Sequence, residues 1–306
     1  MPAPVQTPVE RAVVIGCGGV LGIAWSAGVL AGLAREGANV CDADLWVGAS
    51  AGSVVAARLA SGLAPATLHA EQTNGQAAAN EVLRPYSQSA VDASNQTLFD
   101  KVRGDLRQAR QRIGAYALRS DTPSVEARRR IIAERLEHGD WPARRLLIVS
   151  VNAHDGDARI LDRHSGVPLI DAVAASCAVP GVWPPVPLDG EHFMDGGVRS
   201  MTNADLAAGA RRVLVLSPQG YSDGNPVSGH LRSELRALRA AGSDVHVIEP
   251  HARCREVIGP NILDPSRCAQ VATEAMRQGQ SLAGVVSSFW TSQPACARPT
   301  HSLTMS

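Results

Sequence analysis

Short apolar runs near 12–16, 44–47, 145–152, 157–161, 191–194, 212–217 and 244–248 punctuate the chain, and each predicts a strand. The segments between them are of helical length, with helices predicted over 22–36, 51–61, 124–138, 168–177, 203–210, 229–241 and 266–289. Such alternation makes a mostly parallel sheet covered by helices on both faces. The 124–138 segment is the best delimited: Thr122-Pro123 starts it, Val125, Ile132 and Leu136 recur at helical spacing, and Gly139 stops it. Residues 62–123 are rich in Gln, Asn, Ala and Arg without a strand signal and predict a helical insertion over one end of the sheet. The expected organisation is one domain over 11–290 followed by a polar, loose tail, 291–306.

The first strand runs into IGCGGVLG, residues 15–22, where glycines stand at a strand-to-helix turn. A loop of this kind aims several backbone N–H groups at one point, and the helix dipole favours negative charge there. A dinucleotide pyrophosphate, a phosphate or the oxyanion of a reacting ester would each satisfy it. In a dinucleotide fold the second strand ends in an acid about 20 residues on. Glu36 lies at that distance but at a helix end before Gly37, and the second strand runs instead into Gly48-Ala49-Ser50. Residues 12–34 also contain no charge and pass a length test for a membrane span. Six of them are glycines, clustered mostly at the turn (16, 18, 19 and 22), which a strand, a loop and a helix explain and a span does not.

Gly48-Ala49-Ser50-Ala51-Gly52 sits between the apolar stretch Leu45-Trp46-Val47 and a helical segment. In that setting G-x-S-x-G exposes the serine hydroxyl on a sharp turn, with small residues letting the chain cross itself. A serine nucleophile needs donors for the tetrahedral intermediate, and the neighbouring glycine loop is the expected supplier, through Gly18, Gly19 and Val20. Asp195, in Met194-Asp195-Gly196-Gly197 after a short strand, stands on a sequence that alone reads as a common turn; its two glycines can also aim the carboxylate, and together with the two earlier motifs it completes a set in which it is the expected base.

Taken in order, Cys17-Gly18-Gly19-Val20-Leu21-Gly22, Gly48-Ala49-Ser50-Ala51-Gly52 and Asp195-Gly196-Gly197 resemble the three signatures of the patatin-like phospholipase family. Ala175-Ser176-Cys177-Ala178-Val179-Pro180-Gly181-Val182-Trp183-Pro184-Pro185 is similar to that family's Ser- and Pro-rich loop. The resemblance covers about residues 11–220. It implies a three-layer α/β/α sandwich of patatin type and a serine esterase acting on acyl lipids through a Ser50–Asp195 dyad. The glycine loop then forms the oxyanion hole, and neither metal nor organic cofactor is implied. Cys17 stands where the family has a glycine, and Leu21 where it has Arg or Lys. An arginine at 21 is therefore expected to raise turnover.

Composition narrows this picture. The 29 basic and 29 acidic residues balance, which argues against nucleic acid as a partner. Cysteines 17, 41, 177, 254, 268 and 296 form no CxxC pair and have no metal-like spacing. The prolines and acid of MPAPVQTPVER do not make a signal peptide, so a cytoplasmic location is expected, with transient membrane-surface contact for a lipid hydrolase. Between Lys101 and Arg145 twelve basic residues face six acidic ones. They read as a face for anionic headgroups or, in the plainer reading, as solvated helices with Arg128, Arg129 and Arg130 outward. His154, His246 and His251 could instead complete a Ser–Asp–His triad, and Trp25, Trp183 and Trp290 could line an acyl pocket or the core.

Overall fold

The computed structural model describes residues 9–75 and 85–292. The chain forms β1 (Arg11–Ile15), α1 (Gly19–Arg35), β2 (Leu45–Ala49), α2 (Ala51–Ala60), α3 (Pro65–Thr73), α4 (Gln88–Lys101), α5 (Leu106–Arg119) and α6 (Val125–Leu136). There follow β3 (Arg145–Asn152), β4 (Ala158–Leu161), α7 (Leu169–Ser176), β5 (Val186–Leu188), β6 (Glu191–Asp195) and β7 (Arg212–Leu216). The last elements are α8 (Leu231–Ala240), β8 (Asp244–Ile248), α9 (Ala252–Ile258) and α10 (Cys268–Thr291). The eight strands make one sheet in the order β5-β6-β3-β2-β1-β7-β8, with β4 also paired to β3. Strands β3, β2, β1, β7 and β8 run parallel, while β4, β5 and β6 join antiparallel.

The near-continuous apolar strands are those buried on both faces. Along β1, Val13 and Ile15 enter the larger core, with Trp25 and Leu33 of α1, Val54 and Leu59 of α2, Val173 of α7 and Val271 of α10. Ala12 and Val14 point the other way and pack with Leu231, Leu235 and Leu238 of α8. The result is a three-layer α/β/α sandwich.

The uncharged stretch 12–34 is therefore a strand, a turn and a helix. Every residue of α1 from Val20 to Leu33 is buried. Among the described residues no helix is long and apolar enough to cross a membrane. Helix α1 can be buried on all sides because α10 lies against its backbone. A Cβ on Gly28, Gly32 or Gly279 would come within 2.3, 2.2 and 2.1 Å of the carbonyl oxygens of Ala272, Met276 and Val29. Trp25 Nε1 donates to Gln278 Oε1 across the same seam, at 3.1 Å.

Several boundaries differ from the sequence expectation. Helix α1 begins at Gly19 rather than 22, because the glycine loop winds straight into it. The expected helix at 203–210 is only a 3₁₀ turn, Ala204–Ala207, bounded by left-handed Asn203 and by Gly209 at φ 88°. Strand β5 and helix α9 carry weak sequence signals and went unpredicted. The expected insertion is helical where described, as α3, α4 and α5. Residues 76–84 within it, the tail from 293 and the leader reading of residues 1–8 lie outside the described residues.

The α1–α10 seam makes a paired prediction. Gly279→Leu places a side chain against the Val29 carbonyl and should destabilise the fold by more than ~3 kcal/mol, the upper range for overpacking. Gly284→Ala, on the exposed face of α10 with nothing within 4 Å, should stabilise it by about 0.5–1 kcal/mol. Urea unfolding of the two variants checks both signs.

Candidate active site

Ser50 occupies the turn between β2 and α2 with φ 52° and ψ −124°, a conformation that L residues rarely hold without support. The flanking glycines are sterically required: a Cβ at Gly48 would lie 2.6 Å from Ser53 Cα, and one at Gly52 only 1.8 Å from the Ile15 carbonyl oxygen. The turn is pinned from α7 and its C-terminal end. The Ser50 amide donates to Ser176 Oγ at 2.9 Å. The Ser50 carbonyl accepts from the Ser53 amide (2.9 Å), Ser53 Oγ (2.6 Å) and Cys177 Sγ (3.2 Å). Ser176 and Cys177, both in the stretch similar to the family's Ser- and Pro-rich loop, thus hold the Ser50 turn.

The glycine loop follows β1, and parallel pairing of Ile15 with Gly48 brings it beside the Ser50 turn. Its amides divide into two sets. Cys17 donates to Met201 O, Leu21 to Ile262 O and Gly22 to Gly18 O. The amides of Gly18, Gly19 and Val20 have no such acceptor among the described residues, as expected where a loop enters a helix. Gly19 needs its missing side chain twice over: it has φ 59°, and a Cβ there would meet the Ile262 carbonyl oxygen at 2.7 Å. Leu21 is wholly buried in the core under α1, so an arginine there would enter apolar surroundings and not the site. The expected gain in turnover from Leu21→Arg has no structural basis.

Asp195 ends β6, paired through Ser150 to β3, and is also buried. Its amide donates to Ala178 O (3.0 Å), and its Oδ1 accepts from the Gly197 amide (2.7 Å). The thiol of Cys17 lies 3.9 Å from the same oxygen. Gly196 is required because a Cβ there would lie 2.4 Å from Val149 O. Behind this turn, Glu234 of α8 accepts from Thr202 Oγ1 (2.7 Å) and the Ala204 amide (3.0 Å), while Arg199 pairs with Asp205.

Burial pushes the Asp195 carboxyl up to about 6, against the opposing pulls of the Ser50 hydroxyl, the Gly197 amide and the Arg128 guanidinium. The Ser50 hydroxyl thus bears on the carboxylate as a donor does. Yet among the described residues Asp195 Oδ2 has no partner at full hydrogen-bond geometry. The contact is loose, of the kind that tightens when a site fills.

Ser50, Asp195, Gly18 and Gly19 open on one cavity of ≈ 740 Å³. Helices α4 and α5 wall it with Val91, Leu98, Ile113 and Tyr116, and with the cations Lys101 and Arg112. Helix α4 buries no residue of its own. Polar bonds dock it: Asn95 Nδ2 to Asn225 Oδ1 (3.2 Å) and Asn225 Nδ2 to Asp92 Oδ1 (2.9 Å).

Among the described residues no histidine lines this cavity. His154 packs edge-on against His192, His246 lies against Phe289, and His251 Nδ1 accepts from the Cys254 amide. No three His, Cys, Asp or Glu side chains among the described residues converge to hold a metal ion. Glu36, the acid a dinucleotide site would need, sits at the end of α1 and accepts from Gln280 Nε2. Trp25 and Trp290 belong to the core, and only Trp183 borders the site. The outward reading of Arg128 is corrected. It is 4% exposed, its guanidinium lies 4.0 Å over the Trp183 ring, and it borders a second, small cavity with Ser50. Arg129 is exposed, and bonds Asp171.

Comparison with known proteins agrees with this arrangement of motifs. Among solved structures the chain is similar to VipD from Legionella pneumophila, at 12% identity over 90% of this chain and 67% of that one, with a TM-score of 0.39. It is also similar to the type III effector protein ExoU, at 17% identity over 92% of this chain, with a TM-score of 0.41. The chain spans about half of ExoU, 54%. No curated protein matches in sequence. The family model described as patatin-like phospholipase matches residues 13–208, from β1 past the Asp195 turn and through all three motifs. The chain belongs to the patatin-like phospholipase family.

Proposed function

We propose that the protein is a serine hydrolase of acyl lipids, with Ser50 as nucleophile, Asp195 as general base, and the amides of Gly18, Gly19 and Val20 as the oxyanion hole. The observation that carries this reading is convergence: a strained serine, a buried carboxylate and amides at a helix start open on one cavity. In acylation Ser50 Oγ bonds to the ester carbonyl carbon, and its proton passes to Asp195. The carbonyl π pair moves to oxygen, where the loop amides meet the charge. Collapse re-forms the carbonyl and expels the alcohol, which takes the proton from Asp195. Water then repeats the sequence on the acyl-enzyme, giving the fatty acid and restoring Ser50.

The cavity's chemistry supports a lipid. Its apolar wall from α4 and α5 suits an acyl chain, and Lys101 and Arg112 suit a phosphate-bearing headgroup in a phospholipase A or lysophospholipase reaction. With no membrane-spanning helix among the described residues, contact with the lipid surface is peripheral in this reading. A Ser–Asp–His triad finds no histidine to complete it among the residues lining the cavity.

Two predictions follow from the dyad. A fluorophosphonate probe should label Ser50, and Ser50→Ala should abolish both labelling and hydrolysis. Asp195→Asn, with the fold intact, should lower kcat by at least ~100-fold, whereas His154, His192, His246 and His251 variants should keep most of their turnover. A labelled serine elsewhere, or one histidine variant as inactive as Ser50→Ala, would overturn the assignment.

The second concerns pH. Only ionised Asp195 accepts the proton, so kcat/KM should rise through about pH 6 and level off above it. The sign for stability is opposite. A carboxyl raised from 3.8 to about 6 binds its proton more tightly folded than unfolded, so its contribution is full below 3.8 and is lost as pH rises through about 6. Asp195→Asn should accordingly be more stable than the parent at pH 8, by about 1–3 kcal/mol. Equal stability of the two across pH 4–8 would show that burial of the carboxylate carries no strain.

A further inference from the structure

The small cavity beside Ser50 holds a charge that the dyad leaves unused. It measures ≈ 20 Å³ and is bounded by Gly19, Val20, Ser50, Cys177, Trp183 and Arg128. A space of that size takes about one water-sized group. Its lining brings together Gly19 and Val20, the two loop residues whose amides enter α1, and the buried Arg128.

The fold of α6 puts Arg128 there. Arg128 lies four residues before Ile132 and eight before Leu136, the two other buried positions of that helix, so the face that packs against α2 and α7 carries the arginine inward. Arg135 follows seven residues on and borders the same cavity. The Arg128 guanidinium stacks on Trp183, and the Cys177 thiol, which lines the same cavity, donates to the Ser50 carbonyl. A guanidinium stays protonated even when buried. The glycine loop brings no charge of its own between Gly16 and Ile23, and its Leu21 side chain faces the core. Any cation for this pocket has to come from another element.

We propose that Arg128 is a catalytic residue of this site, its guanidinium completing the oxyanion pocket opposite the amides of Gly19 and Val20. The inference rests on Ser50 being the nucleophile. When Ser50 Oγ bonds to the carbonyl carbon, the π pair shifts to oxygen, and the Oγ proton goes to Asp195. That oxygen, nearly neutral in the ester and anionic in the intermediate, occupies the small cavity. Arg128 therefore acts on kcat more than on KM.

The experiment compares Arg128→Met, which keeps the apolar stem over Trp183, and Arg128→Lys, which keeps a charge but not the planar fork. Hydrolysis of 4-nitrophenyl butyrate and inhibition by an alkyl trifluoromethyl ketone are measured together. The ketone becomes an oxyanion on adding to a serine. Arg128→Met should lower kcat by about 100-fold or more, the scale of a lost oxyanion donor, with KM within threefold and the ketone weakened by a similar factor. Arg128→Lys should recover part of both.

The acid limb of kcat/KM should also move upward in Arg128→Met, because a positive charge near Asp195 is lost. The other titratable or charged groups around that carboxyl are Cys17, Tyr86 and Cys177, with Lys101 and Arg112 in the cavity wall, and all are unchanged. If Met prevents folding, Arg128→Gln is read in the same assays. A folded variant with kcat within threefold of the parent, or one whose kcat falls while ketone affinity holds, overturns the proposal. Fluorophosphonate labelling separates the two levels. Ser50 labelled with Arg128 indifferent sinks this inference alone, whereas Ser50→Ala retaining activity sinks the nucleophile assignment beneath it.

Discussion

The approach of Gly52 to the carbonyl oxygen of Ile15 is the constraint on which the site depends. No side chain fits at 52, since a Cβ would lie 1.8 Å from that oxygen. With that contact made, the start of α2 is locked against the end of β1, and two parallel neighbours deliver their C-terminal loops to the same place. One loop carries amides and the other a serine. The strain at Ser50, at φ 52°, is held by hydrogen bonds from Ser53 and Cys177 to its carbonyl and from its amide to Ser176, so the cost of an unfavourable conformation is spread over two further elements.

The third component arrives by a different route. Asp195 comes at the end of β6, which runs antiparallel to β3, and its position is set by pairing with Ser150 and by a turn in which Gly196 touches the Val149 carbonyl. Burial there works against the charged form. Ionised Asp195 is tolerated because the Gly197 amide, the Ser50 hydroxyl and the Arg128 guanidinium face it. In the proposed mechanism, the same burial that makes the carboxylate a stronger base makes it a poor contributor to stability.

The motifs, the parallel α/β alternation and the helical nature of α3, α4 and α5 were legible because each rests on local rules: apolar period, turn glycines and small residues where chains cross. The glycines at 48, 52 and 196 could be read as requirements without knowing what they touch. Leu21 could not. Its position in a loop motif gives no sign that the side chain turns into the core, since that follows from the early start of α1 at Gly19 and its packing beside α2.

Arg128 shows the same limit from the other side. Within Arg128-Arg129-Arg130 only the spacing to Ile132 and Leu136 separates the buried residue from its exposed neighbours, and a long guanidinium side chain on that face can still reach solvent. Packing of α6 against α2 and α7 chose the face, through Ile132 and Leu136. The sequence by itself determined which residue types could do acyl transfer and on which turns they stand, because those turns are short and sterically exacting. Only the tertiary structure decided what surrounds them: Ser176 and Cys177 under the serine, the α4–α5 wall over the cavity, and a guanidinium beside the glycine loop. Those neighbours are distant in the chain, and their approach depends on side-chain packing that no local pattern encodes.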